Sequence, residues 1–259
     1  MGAAAQLCGR LQEAETHLSA CHALCAETGN LTLRIYANYN LVNLAHVIGA
    51  YDRCIRLLDE NLTAAREFNN QIVLADTLSK QARTAIALGE YEAAVESLRE
   101  SLRVLDSIGR NDAGIVRCDL GQALCYLEDF AAAIRELENG LEAALHANHA
   151  SYAAACLNAL GRQAFAQRRC KDAIVYHQRA LAIWQEQNNE PEMALTFYLI
   201  GRATCGEQAA ETMDALHAAL RLAIKHRPAP VALGVFVTMA PALARQDKRS
   251  QAETLLDLV

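Results

Sequence analysis

Small and apolar residues recur along this chain at a fixed distance. Six short turns are each followed, three residues beyond the last turn position, by a small residue. They are Gly9-Arg10-Leu11 before Ala14, Gly49-Ala50-Tyr51 before Cys54, Gly89-Glu90-Tyr91 before Ala94, Glu128-Asp129-Phe130 before Ala133, Arg168-Arg169-Cys170 before Ala173, and Asp247-Lys248-Arg249 before Ala252. The turns start 40, 40, 39 and 40 residues apart, and a last interval of 79 holds one more repeat, turning near Cys205-Gly206-Glu207. A period of this length is the mark of a repeat architecture rather than of a single core.

The stretches between the turns read as helices. Leu120-Gly121, Leu160-Gly161 and Ile200-Gly201 occupy equivalent places before the turn, where Val42, Ala82 and Ala240 stand in other repeats. Beyond the turn, seven residues after the small position, come Cys21, Asn61, Ser101, Gly140 and Ala180. Small residues one heptad apart on a helix face, with apolar residues between them, make a close interhelical seam. Thr28-Gly29-Asn30, Asn69-Asn70, Gly109-Arg110-Asn111-Asp112 and Asn188-Asn189-Glu190-Pro191 follow helical runs. Gly and Asn accept the left-handed conformation that ends a helix, and Pro suits the first turn of the next. No strand-like alternation occurs. The pattern predicts an all-α solenoid of antiparallel helix hairpins, one repeat domain over 1–259. Its hairpins lie near 1–30, 31–70, 71–110, 111–150, 151–190, 191–227 and 228–259, the first and last incomplete.

The repeat resembles the tetratricopeptide repeat. Ala75 to Leu102 carries the family's small–small–apolar spacing around the Gly-Glu-Tyr turn. The period departs from the family's roughly 34 residues, and most repeats lack its closing proline. HEAT and armadillo repeats share the longer period, but the Gly-Glu-Tyr turn and the Leu-Gly step argue against them. The resemblance implies a right-handed superhelix whose first helices line a concave groove. The 40-residue variant with Gly/Asn-rich turns is similar to the C-terminal sensor arrays of bacterial signal-transduction NTPases and transcription regulators. The segment Pro228 to Gly234, Ala242 to Gln246 and Ala252 to Leu256 resembles the last repeats of such arrays. An NTPase or DNA-binding domain outside this segment is then an expected intramolecular partner, since neither lies within it.

Numbering each hairpin by the family pattern gives the inward rows. The central row is Asn43, Arg83, Gln122, Arg162 and Arg202. Four residues earlier stand Tyr39, Ser79, Cys118, Asn158 and Tyr198. His46, Ile86, Cys125, Phe165 and Cys205 stand about one turn later. Three arginines in one row favour a carboxylate- or phosphate-bearing partner, and Tyr39, Phe165 and Tyr198 add stacking surface. Pairing with Asp76 and Asp119 is the plain alternative. Asn43 and Lys80 match the family's carboxylate clamp only singly, so the clamp is incomplete. The candidate binding residues are therefore Tyr39, Asn43, His46, Lys80, Arg83, Gln122, Asn158, Arg162, Phe165, Tyr198 and Arg202.

Composition narrows the function classes. The formal net charge is −6 and the densest basic cluster is Arg168-Arg169-Cys170-Lys171, which disfavours nucleic-acid binding. No apolar stretch reaches membrane-spanning length, and no signal peptide is visible, so a cytoplasmic location is expected. Nine cysteines in such a chain read as reduced thiols, mostly at seam positions. His17, Cys21 and Cys25 fall at i, i+4, i+8, a conceivable zinc set, but seam packing explains Cys21 better. His146 and His149 read as exposed turn residues. A nucleophile elbow and a glycine-rich phosphate loop are both lacking, so the chain is expected to be non-catalytic and free of cofactors. Both ends look cut, and Leu255, Leu256, Leu258 and Val259 leave an apolar end suited to self-association. The expected function is a sensor or interaction array of a larger bacterial signalling or transcription-regulatory protein, binding a protein, peptide or effector. A free-standing adaptor and a small-molecule-binding accessory domain of an enzyme stay open.

Overall fold

The computed structural model describes residues 11–110, 113–204, 209–226 and 234–239. The turn at Gly9, the residues Cys8 and Cys205, the prolines from Pro228 onward and the apolar end at Leu255 lie outside them. All the described elements are helices, and none of the described residues is in a strand. They are α1 (Leu11–Glu27), α2 (Leu31–Val47), α3 (Tyr51–Glu67), α4 (Gln71–Leu88), α5 (Tyr91–Ser107), α6 (Gly114–Tyr126), α7 (Phe130–His146), α8 (Ala150–Ala166), α9 (Cys170–Glu186), α10 (Glu190–Thr204) and α11 (Ala209–His226). Residues 234–239 are helical as well.

One device ends nearly every helix. Gly29, Gly49, Asn69, Gly89, Gly109, Glu128, Asn148, Arg168 and Asn188 all have left-handed φ, between 51° and 82°. In each case the next residue donates its N–H to a carbonyl five residues back, as Ala50 does to Ala45 at 2.8 Å and Arg169 to Ala164 at 2.8 Å. This closes the last turn and reverses the chain. Asn30 and Asn70 then cap the following helix, each side chain accepting an N–H three residues on at 3.1 Å.

The seam forms where the repeat puts it. Ala14, Cys54, Ala94, Ala133 and Ala173 are each 0% exposed. The Leu-Gly step has a steric cause. A Cβ on Gly161 would lie 2.5 Å from the His177 ring, and one on Gly201 would lie 2.6 Å from Leu216. A second-helix side chain thus sits directly on the first-helix backbone. Cys21 departs from expectation and is exposed. Its equivalents face the first helix of their own hairpin, as the Ser101 hydroxyl does in donating to the Ala75 carbonyl at 2.8 Å. No described helix precedes α1 to cover Cys21.

The chain divides into two compact units, Met1–Asp129 and Phe130–Val259, so the boundary falls inside the hairpin expected at 111–150. Within each unit, helices adjacent in sequence pack on each other. The first unit buries Leu18, Leu41, Val42, Cys54 and Leu58 together. The second builds cores around Trp184, with Ala154, Leu157 and Ala180, and around Leu216, with Val235 and Met239.

Candidate binding face

The first helices α2 and α4 are each packed on two sides, which leaves a narrow exposed stripe. On α2 that stripe is Tyr36, Asn43 and Val47, with Asn40 half-buried. On α4 it is Ile72, Asp76, Arg83 and Ala87, with Lys80 half-buried. Steps of three, four and seven residues keep each set on one face. Sequence reasoning found the central members, Asn43 and Arg83, but not Tyr36 or Asn40. The register of the exposed stripe runs through the central row and one residue after the Tyr39 row.

The Tyr39 row instead ties successive first helices together. In the first unit, the Tyr39 hydroxyl lies 2.8 Å from the Thr77 hydroxyl and donates to the Val73 carbonyl at 3.2 Å. Burial, opposed by the Thr77 hydrogen bond, pushes the Tyr39 phenol up to about 12. His46 Nε2 lies 3.0 Å from the Thr84 hydroxyl, and its ring meets Tyr51 edge-on. Burial and then the charges of Lys80 and Arg83 lower the His46 pKa. The Lys80 ammonium sits 5.0 Å above the Tyr39 ring. Burial, then Arg83, lowers the Lys80 pKa against the pull of Asp76 and Asp119.

Arg83 is already answered. Its Nε donates to Asp119 Oδ2 at 2.6 Å, and the Asp119 side chain is only 11% exposed. Burial raises the Asp119 pKa despite Arg83 and Lys80. The plain alternative to a free basic stripe holds at this arginine. The Gln122 amide donates to Cys118 Sγ at 3.4 Å. Asn43 is exposed.

In the second unit Asn158 is buried, a correction to its expected place on the groove wall. Its Nδ2 donates to the Thr196 hydroxyl at 2.9 Å, which donates to the Glu192 carbonyl at 2.8 Å. Its Oδ1 lies 3.0 Å from His177 Nδ1. Because a carbonyl oxygen only accepts, Nδ1 carries the proton. His177 is 1% exposed. Burial, then the charges of Arg162 and Arg202, pushes its pKa down to about 4. Sequence reasoning missed His177, although the signal was present. It interrupts the in-register series Leu58, Leu98, Leu137, His177, Leu216.

Arg162 and Phe165 are half-buried on α8, and Tyr198 and Arg202 on α10. The Arg202 guanidinium lies 5.1 Å from the Phe165 ring centroid and 5.6 Å from that of Tyr198. Burial raises the Glu192 pKa and Arg162 opposes the shift. Among the described residues, no group of three or more His, Cys, Asp or Glu side chains is placed to hold a metal. His17 approaches Glu13 at 3.8 Å, while Cys21 and Cys25 lie with their sulfurs 4.0 Å apart. No described helix is long and apolar enough to cross a membrane.

No protein-family model and no curated protein matches this chain. Solved structures match its fold. The apo form of RapI is 16% identical over 98% of this chain and 92% of its own, with a TM-score of 0.74. A Rap protein complexed with Competence and Sporulation Factor is 14% identical over 95% of this chain and 77% of its own, with a TM-score of 0.71. A Signal Transduction ATPase with Numerous Domains from Pyrococcus horikoshii, which has a tetratricopeptide repeat sensor, is 12% identical with a TM-score of 0.66. The match covers 95% of this chain and 42% of that one. The fold is thus a tetratricopeptide-like array of helical hairpins.

Proposed function

We propose that this chain is a non-catalytic interaction domain that holds a protein or peptide segment along its first-helix face. The observation that carries the reading is the exposed stripe on helices otherwise packed on both sides. It mixes hydrogen-bonding, charged and aromatic groups at Tyr36, Asn43, Asp76 and Arg83 in the first unit. A stripe so composed offers backbone-reaching polar contacts and flat apolar contacts to an extended segment. We further propose a role as the sensor array of a larger signal-transduction protein, with an NTPase or DNA-binding output domain outside this segment. The likeness to less than half of a signal-transduction ATPase that carries a repeat sensor supports this, as does the likeness to a Rap protein held in complex with a factor. The free thiols suit a reducing compartment, and we propose a cytoplasmic location.

Display selection of random peptides on the purified chain tests the binding reading. Selected peptides should lose at least tenfold in affinity when the stripe is blocked by Asn43→Trp or by Asp76→Trp. They should keep it when a second-helix surface is blocked by Glu138→Trp. Equal loss at all three positions, or no selected peptide, would sink the reading.

A further inference from the structure

Arg202 differs from the other arginine whose partner is visible at this repeat position. Arg83 reaches the next first helix and meets Asp119 there. On the next first helix after Arg202, within residues 234–239, the residue equivalent to Asp119 is Thr238, two before Ala240. The place whose equivalent neutralises Arg83 thus holds a hydroxyl, not an acid, after Arg202. Arg202 has no hydrogen bond and no ion pair with a described residue, and the two aromatic rings are its neighbours. Phe165 comes from α8 and Tyr198 from α10 itself.

Two rings around a guanidinium stabilise the cation through their faces and restrict a long side chain. Among the described residues, the N–H fork of Arg202 has no hydrogen-bond acceptor, and the rings are its contacts. An arginine fixed in this way has lost much of its rotamer freedom before any ligand arrives, which favours binding. A carboxylate is the planar partner that accepts two parallel N–H bonds from such a fork. Glu192 does not fill this role. It stands ten residues before Arg202 on the same helix, about 15 Å along the axis. The charge that opposes the rise of its pKa is that of Arg162. The charges of Arg162 and Arg202 both lower the pKa of the buried His177 ring.

Resting on the peptide-binding reading, we infer that Arg202, clamped between Phe165 and Tyr198, anchors a carboxylate of the bound peptide. The rings then flank the residue that carries the acid. The carboxylate comes either from an Asp or Glu side chain or from a free C-terminus.

The test uses random peptide libraries with free and with amidated C-termini, selected on the whole chain and on Arg202→Gln. The inference expects acidic enrichment at one position, or dependence on a free C-terminus, on the unmodified chain only. The best synthetic peptide should bind R202Q at least tenfold more weakly. Arg202→Lys should show an intermediate loss, because it keeps the charge without the fork. Arg179→Gln, on an exposed second-helix face, should change binding less than twofold. Circular dichroism and melting of each variant establish folding, and R202K carries the comparison if R202Q does not fold. Peptides without acidic preference, or unchanged binding by folded R202Q, would overturn the anchor and leave peptide binding standing. Failure to select any peptide on the unmodified chain would overturn both.

Discussion

At His177 an imidazole fills a place that leucine holds in the other described hairpins. The ring packs on Gly161 and donates to Asn158, so it stays neutral where it lies. Its folded pKa of about 4 is below the ordinary 6.5. Between those values the unfolded chain binds more protons than the folded one, so stability falls as pH drops through that window. The loss approaches about 3 kcal/mol near pH 4. Urea denaturation at pH 7, 5.5 and 4.5 should show this for the natural chain. His177→Leu should be the less pH-dependent protein. It should also lose about 1–3 kcal/mol at pH 7, because Asn158 Oδ1 is left without its donor. The helix ends give a second prediction at this scale. Arg168 and Glu128 hold left-handed φ of 61° and 62°, a conformation that costs a side-chain-bearing residue about 1–2 kcal/mol. Arg168→Gly should therefore raise stability by about 1 kcal/mol, and Gly89→Ala should lower it by a similar amount, both read from urea midpoints. The Gly89 effect is one of backbone alone, since a Cβ there meets no atom within 4 Å.

The helices were legible in the sequence because turn and seam signals reinforce one another. Gly29, Asn69, Gly109 and Asn188 were readable as helix ends from residue type. Glu128 and Arg168 were readable only from their place in the period, since neither residue favours a left-handed φ. The seam alanines follow from the same alignment. Ala94 is fully buried, as is Leu98 one turn later. Ala94→Leu should therefore cost about 1–3 kcal/mol through overpacking. An unchanged thermal midpoint would contradict this account of the seam. Cys21 shows where the alignment misleads. Its repeat position predicts burial, and it is exposed.

At the scale of the whole molecule, the surroundings of the candidate binding residues were only half legible. The period identifies which residues share a row, so Arg83 and Arg202 were found together. It does not say what stands opposite each member. Asp119 answers Arg83 while Thr238 occupies the equivalent place after Arg202, and that difference depends on contacts nearly a full repeat apart. Tyr39 and Asn158 were assigned to the wall because polar residues there resemble wall residues. They are interhelical ties, as their hydrogen bonds at 2.8 and 2.9 Å show. Thiol reactivity reports burial across both units in one measurement. Cys21 is exposed, Cys125 and Cys170 are intermediate, and Cys25, Cys54, Cys118 and Cys156 are buried. Native alkylation followed by peptide mass spectrometry should label Cys21 first among these seven, and the four buried thiols should react only on opening. Fast labelling of Cys54 or Cys156 would contradict their packing.

The even placement of the left-handed helix ends has a consequence for how such a chain can change length. From Gly29 to Gly109 they fall every 20 residues, and first and second helices alternate between them. A tandem duplication of residues 71–110 would therefore enter in phase. Each copied alanine would meet a copied leucine, and each copied turn would reverse the chain at the right place. A duplication of only 71–90 would put a first-helix sequence where a second-helix one belongs, and every face beyond the insertion would meet the wrong neighbour. The longer insertion should fold with helicity rising in proportion to its length. The shorter one should lose cooperative unfolding, although it adds fewer residues. Size alone is thus a poor guide to what this chain tolerates: it can grow in whole hairpins and resists growing by halves.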